Sequence, residues 1–148
     1  MSSSNFQLLD PYFDTRLAQP KAGDIAADRD RRVHRVTQRL NDLVYPVFVQ
    51  FHDYLQVKLG DSAECYVDRG EGAEHEKPPY VSFRWGSQGG RLSSLVFAGN
   101  AETGEIHATW RCWRQSIPIH GDKTLDPFFS RAQVHAMLEE LIYQFPPI

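Results

Sequence analysis

The chain has 148 residues and a formal net charge of −3 from sixteen basic and nineteen acidic side chains; its 17.0 kDa fits one ordinary domain. With 41% hydrophobic, 12% aromatic and 24% charged residues, the composition excludes a disordered chain, and the acidic balance argues against a coat for nucleic acid. Apolar residues run from Leu43 to Phe51 but are interrupted by Gln50 and followed by His52 and Asp53, well short of the roughly 18 residues of a membrane span.

Met1–Asp10 is polar and then acidic, without the basic start and apolar run of a secretory signal. The resulting expectation is a cytoplasmic protein, with Cys65 and Cys112 as reduced thiols. Residues 1–23 mix Ser, Pro, Gly and isolated apolar side chains with no sustained period. They are expected to form an irregular arm laid on a single domain of residues 24–148. Asp24 is a candidate N-cap for the helix that follows.

From Asp28 onward Val33, Val36, Leu40, Leu43, Val44, Val47, Phe51, Tyr54 and Leu55 recur at steps of three and four, the pattern of an amphipathic helix, and Gly60 supplies a stop. A straight rod from Asp28 to Leu59 would run roughly 48 Å, longer than the diameter of roughly 38 Å expected for a domain of this size. A kink at Pro46 resolves this, because its ring clashes with the carbonyl four residues back and it has no N–H. Two helical segments should therefore meet near Tyr45–Pro46.

After Gly60 the period changes to two. Cys65–Asp68, Tyr80–Trp85, Leu92–Ala98 and Ile106–Gln115 read as four strands, separated by the charged Arg69–Pro79 loop, the Gly86–Arg91 turn and the Gly99–Glu105 turn. Asp126 and Pro127 then suit the start of a final helix that runs to about Phe145. The predicted fold is α+β: a long Pro-kinked helix or helix pair, a four-stranded antiparallel meander and a C-terminal helix, with the helices packed on one face of the sheet.

Pairing Trp85 with Leu92 and Ala98 with Ile106 gathers Val81, Phe83, Trp85, Leu92, Ser94, Val96, Ala108, Trp110 and Cys112 on the covered face. The opposite face would carry the rows Arg84–Ser93–Arg111, Ser82–Leu95–Thr109 and Tyr80–Phe97–His107, with Trp113 beyond the arginines. Leu95, Phe97, Tyr80 and Trp113 are costly to leave in water, so something should cover this face. Arg84 and Arg111, two strands apart, could converge on one anion over Ser93.

Three explanations follow. The arginines could pair with carboxylates of the arm or of the Arg69–Pro79 loop, which holds Glu71, Glu74 and Glu76. The face could be a protein interface, with a partner or a second copy of the chain, since interface cores favour aromatics with arginine. Or it could hold a small anion, with His107 as acid or base and Tyr80 nearby. The leading expectation is a non-enzymatic, self-associating interaction module, and the alternative is an anion-binding or enzymatic domain.

Other constellations carry less. His135 and Glu139 lie one helical turn apart but lack a third ligand at metal-motif spacing, so no metal or cofactor is expected. The Gly-rich GSQGGR segment lacks the Lys-Ser/Thr of a phosphate loop and reads as a hairpin turn. Arg91 and Arg114 add to an arginine–tryptophan cluster, yet Trp85 and Trp110 fall on the covered face, which disfavours a nucleic-acid platform. The run DRDRRVHR, Asp28–Arg35, mixes signs and reads as the solvated start of a helix.

Overall fold

The computed structural model describes residues 7–18, 22–70 and 78–148. Helix α1 spans Leu9–Ala18 and α2 Ala22–Arg39; a π-helical turn, Leu40–Val44, joins α2 to α3, Tyr45–Leu59. Five strands follow: β1 Ala63–Gly70, β2 Tyr80–Ser87, β3 Ser93–Gly99, β4 Ile106–Arg114 and β5 Ile117–Thr124. Helix α4, Arg131–Gln144, closes the fold. The strands form one antiparallel sheet in the order β1-β2-β3-β4-β5, and α2, the π turn and α3 pack on one face of it with α4 beside them. The α+β class and the antiparallel sheet are therefore as expected, while five details differ.

The first difference is at the helix joint. Val36, Leu40, Val44 and Phe48 step by four and are all buried, although steps of four drift by about 40° each on a regular α-helix. The wider π turn absorbs that drift. Its closing bond runs from the Tyr45 N–H to the Leu40 carbonyl, five residues back. Pro46 sits in the first turn of α3, where its missing N–H is harmless, so it starts a helix instead of kinking one. The Asp42 carbonyl, which a residue with an N–H at 46 would bond, accepts instead from Arg131 Nε at 2.7 Å.

The second is the N-terminal region. Where an irregular arm was expected, Leu9–Ala18 are helical, and Asp24 lies inside α2 instead of capping it. Leu8, Leu9, Tyr12 and Phe13 are exposed, so these side chains are not laid into the core.

The third and fourth concern the chain after β4. A fifth strand, Ile117–Thr124, pairs along β4 where no strand was expected. It carries Pro118 and Gly121 and lies at the sheet edge, where a proline costs no ladder bond. Gly121 is there because its neighbour needs the space: a Cβ would fall 2.2 Å from the Trp110 ring. The last helix starts at Arg131, not at Pro127 after an Asp126 cap. Asp126 Oδ1 instead accepts the Phe128 N–H at 2.7 Å in a local turn, and the cap is a reciprocal pair of bonds between Ser130 and Gln133.

The fifth is the register of β3. Trp85 pairs with Ser93 and Gly99 with Ile106, one residue from expectation in each hairpin. Leu95 and Phe97 are therefore inside, both at 0% exposure, while Ser94, Val96 and Ala98 face out. Two forces set this. Burying Leu and Phe instead of Val and Ala gains several methylene equivalents at about 0.8 kcal/mol each. The loop Asn100–Glu105 is also closed by its own bonds, from the Asn100 N–H to the Glu105 carbonyl at 2.8 Å and from the Gly104 N–H to the Asn100 carbonyl at 2.7 Å.

Under the helices, Phe48 meets the rings of Phe83 and Phe97, each at 5.7 Å. Val36 lies so close to β3 that a Cβ at Gly99 would sit 1.9 Å from its Cγ1. Trp85 Nε1 donates to the Phe145 carbonyl at 2.8 Å and ties the end of α4 to the sheet.

Candidate functional site

The two register differences cancel across β3, so β2 and β4 keep the alignment expected of them. Tyr66, Arg84, Ser94, Arg111 and His120 form one row across all five strands of the open face. Asp68, Ser82, Val96, Thr109 and Asp122 form the next, and Gly70, Tyr80, Ala98, His107 and Thr124 the third. Arg84 and Arg111 thus flank a serine as anticipated, but it is Ser94. Ser93 is on the covered side, its Oγ accepting the Trp113 N–H at 3.2 Å.

Of the other residues singled out from sequence, Leu95 and Phe97 belong to the core and leave the site. Tyr80 faces out, half-buried, with its ring over Gly70, where a Cβ would come within 2.5 Å. Trp113 lies on the open face two residues beyond Arg111. His107 is the most remote: about 13 Å of strand separates it from Arg111. Its Nδ1 meets Thr124 Oγ1 at 2.9 Å, and its Nε2 stands 3.6 Å from Glu105 Oε2. It therefore shares no small ligand with the arginine row.

The arginines are organised by aromatic rings. Arg84 stacks on Tyr66 at 5.1 Å and reaches Asp68 Oδ2 at 3.3 Å. Arg111 and Arg91 both lie against the Trp113 indole, at 5.0 and 4.5 Å. Each planar guanidinium has its face held on a π-system and its donors directed outward at the edge, where those of Arg84 meet Asp68. Among the described residues, Arg84 has a carboxylate partner, and Arg91 and Arg111 have none. Arg84 is charge-paired, but with Asp68 of β1 and not with the arm or the Arg69–Pro79 loop as anticipated; the loop glutamates Glu71, Glu74 and Glu76 lie outside the described residues.

Sequence reasoning missed Tyr66, Asp68, Ser94 and His120 as members of this face. Tyr66 and Asp68 were legible as alternate positions of a strand, but nothing local says that β1 pairs with β2. His120 belongs to a strand that was not anticipated at all. Arg91 comes from the turn after β2, and only the packing brings it to Trp113.

Cys65 and Cys112 are buried free thiols; burial pushes Cys112 up to about 11, against a weaker downward pull from the Ser93 hydroxyl, and pushes Cys65 upward as well. His135 stacks on Phe51 at 4.7 Å, and among the described residues no three His, Cys, Asp or Glu side chains are grouped as metal ligands. Among the same residues no helix is long and apolar enough to cross a membrane. Comparisons with protein families, with curated proteins and with solved structures find no match to this chain.

Proposed function

We propose that this chain is a non-catalytic recognition module that binds an acidic segment of a protein partner on the open face of its sheet. The observation that carries the reading is the Arg91–Trp113–Arg111 group: two ring-stacked guanidiniums without a carboxylate among the described residues. Arg84 on Tyr66 continues the row. Such groups recognise carboxylates through paired donors and lose little side-chain entropy, because the rings already hold them. Asp68 and Asp122 in the adjacent row confine the anion-accepting strip to the arginine row, so an acidic segment must lie along that row. Burial of Leu95 and Phe97 takes two of the four apolar residues that favoured self-association off this face, leaving Tyr80 and Trp113. The distance from His107 to the arginines speaks against an acid–base role beside a bound anion.

The test uses a fluorescein-labelled oligoglutamate peptide, with oligoglutamine as the uncharged control, followed by fluorescence anisotropy. Saturable binding that weakens with salt and is lost in Arg91→Glu/Arg111→Glu is the expected result. Binding that is unchanged in that double variant, with its circular dichroism intact, sinks the reading. Light scattering on the same samples shows whether a second copy of the chain occupies the face instead.

A further inference from the structure

A second basic surface lies along α2, at the Thr124 end of the sheet and away from the arginine row. Arg32, Arg35 and Arg39, spaced by three and four residues, share one side of α2 and line a cavity of about 680 Å³. That volume falls within the range of roughly 300–1,000 Å³ typical of small-ligand sites. The opposite wall is the turn after β5, which brings Phe128 and Phe129 to the cavity. The run Asp28–Arg35 is mostly exposed, as read from sequence, but its Arg32 and Arg35 also line this cavity together with Arg39.

The arginines are oriented but not neutralised. Arg32 Nε donates to the Ala101 carbonyl at 3.0 Å, and Arg39 donates to the Pro127 carbonyl while lying over the Phe129 ring at 5.0 Å. Arg35, between them, is exposed and has no hydrogen bond or ion pair among the described residues. Two carboxylates also reach the cavity, Glu105 and Asp126. Asp126 Oδ1 is engaged by the Phe128 N–H, and Glu105 stands beside His107. Three guanidiniums thus face two carboxylates that have other partners. Phe128, at 91% exposure, puts an aromatic ring at the mouth with nothing on it, a costly arrangement that a ligand ring would relieve.

We infer that this cavity binds a small aromatic anion. The phosphate or carboxylate group is taken by Arg35 with Arg32 and Arg39 on either side, and the ring lies on Phe128. This site is independent of the open sheet face, which carries the proposed partner interaction.

Isothermal titration calorimetry with phenyl phosphate, benzoate and inorganic phosphate tests it. Phenyl phosphate or benzoate should bind saturably, at least about tenfold more tightly than inorganic phosphate, and the tighter of the two identifies the anionic group. Arg35→Ala should weaken that binding about tenfold, the loss expected for one charge-assisted contact. Phe128→Ala should reduce phenyl phosphate to the affinity of inorganic phosphate. Both positions are exposed, so neither variant should unfold, and both should still bind oligoglutamate. Absence of saturable binding by both aromatic anions, or binding that survives Arg35→Ala and Arg35→Glu unchanged, overturns the site. Equal affinity for phenyl phosphate and inorganic phosphate overturns the role of Phe128.

Discussion

The two faces of the sheet are built from the same strands and obey different rules. On the covered face, volume decides: Phe83, Trp85, Leu95 and Phe97 are all at or near zero exposure and interlock with Phe48 from α3. On the open face, charge and ring stacking decide, and the residues there touch their row neighbours more than any covering element. β3 shows the contrast within seven residues. Its inward side carries Leu95 and Phe97, its outward side Ser94, Val96 and Ala98. The fold is thus held by one face, while the open face carries charge and ring contacts on which the core does not depend.

The comparison breaks first at Phe97. Phe97→Ala should cost about 3–5 kcal/mol by urea denaturation, as for large aromatic truncations in a core, whereas Val96→Ala next to it should cost under about 1 kcal/mol. Equal costs would mean that β3 is in the other register.

The next largest effect is a pH dependence confined to the covered face. The Cys112 thiol is raised from 9.0 to about 11 by burial. The folded state therefore holds that proton more tightly than the unfolded chain. Its stabilisation is complete below about 9 and is lost as pH rises toward about 11, on the order of 2 kcal/mol in all. Denaturation of the wild type should fall more steeply over that window than that of Cys112→Ala, and parallel curves would contradict the burial of this thiol. Gly99→Ala should follow, costing about 1–3 kcal/mol in the same assay, because its Cβ would meet Val36.

The smallest effect belongs to the open face. Arg111→Ala should change stability by less than about 1 kcal/mol, since exposed charges and their ring contacts contribute little to folding. The same variant should weaken oligoglutamate binding, which separates recognition from stability at a single position.

Much of this was readable before any coordinates. The helical stripe from Val36 to Leu55 shows in its spacing, because residues that bury one side of a helix must recur at its period. The strands β2, β3 and β4 show in their alternation. What could not be read is pairing. Both sets of alternate residues in β3 are partly apolar, so alternation alone leaves the register open, and the hydrogen bonds of Asn100–Glu105 that help to set it follow no period. The Arg84–Arg111 pair was still found, because two errors of one residue cancelled across β3. β5 has neither a covered run nor clean alternation, with Pro118 and Gly121 inside it, and so its His120 was missed. The arginine cavity was invisible for a related reason. Its far wall is a turn, Leu125–Phe129, whose Asp-Pro pair has the chemistry of a helix start and is used to make a bend.

The π turn at Leu40–Val44 is also a phase keeper. One residue advances an α-helix by about 100°, and the wider turn takes in one extra residue without that advance, so the arginine side of α2 and the apolar side of α3 keep nearly the relation they would have in one continuous helix. Shortening the chain by Asn41 should therefore let α2 run into α3 as one regular helix with Arg32, Arg35 and Arg39 still directed at the cavity. An added residue in that turn is thus silent at the second site.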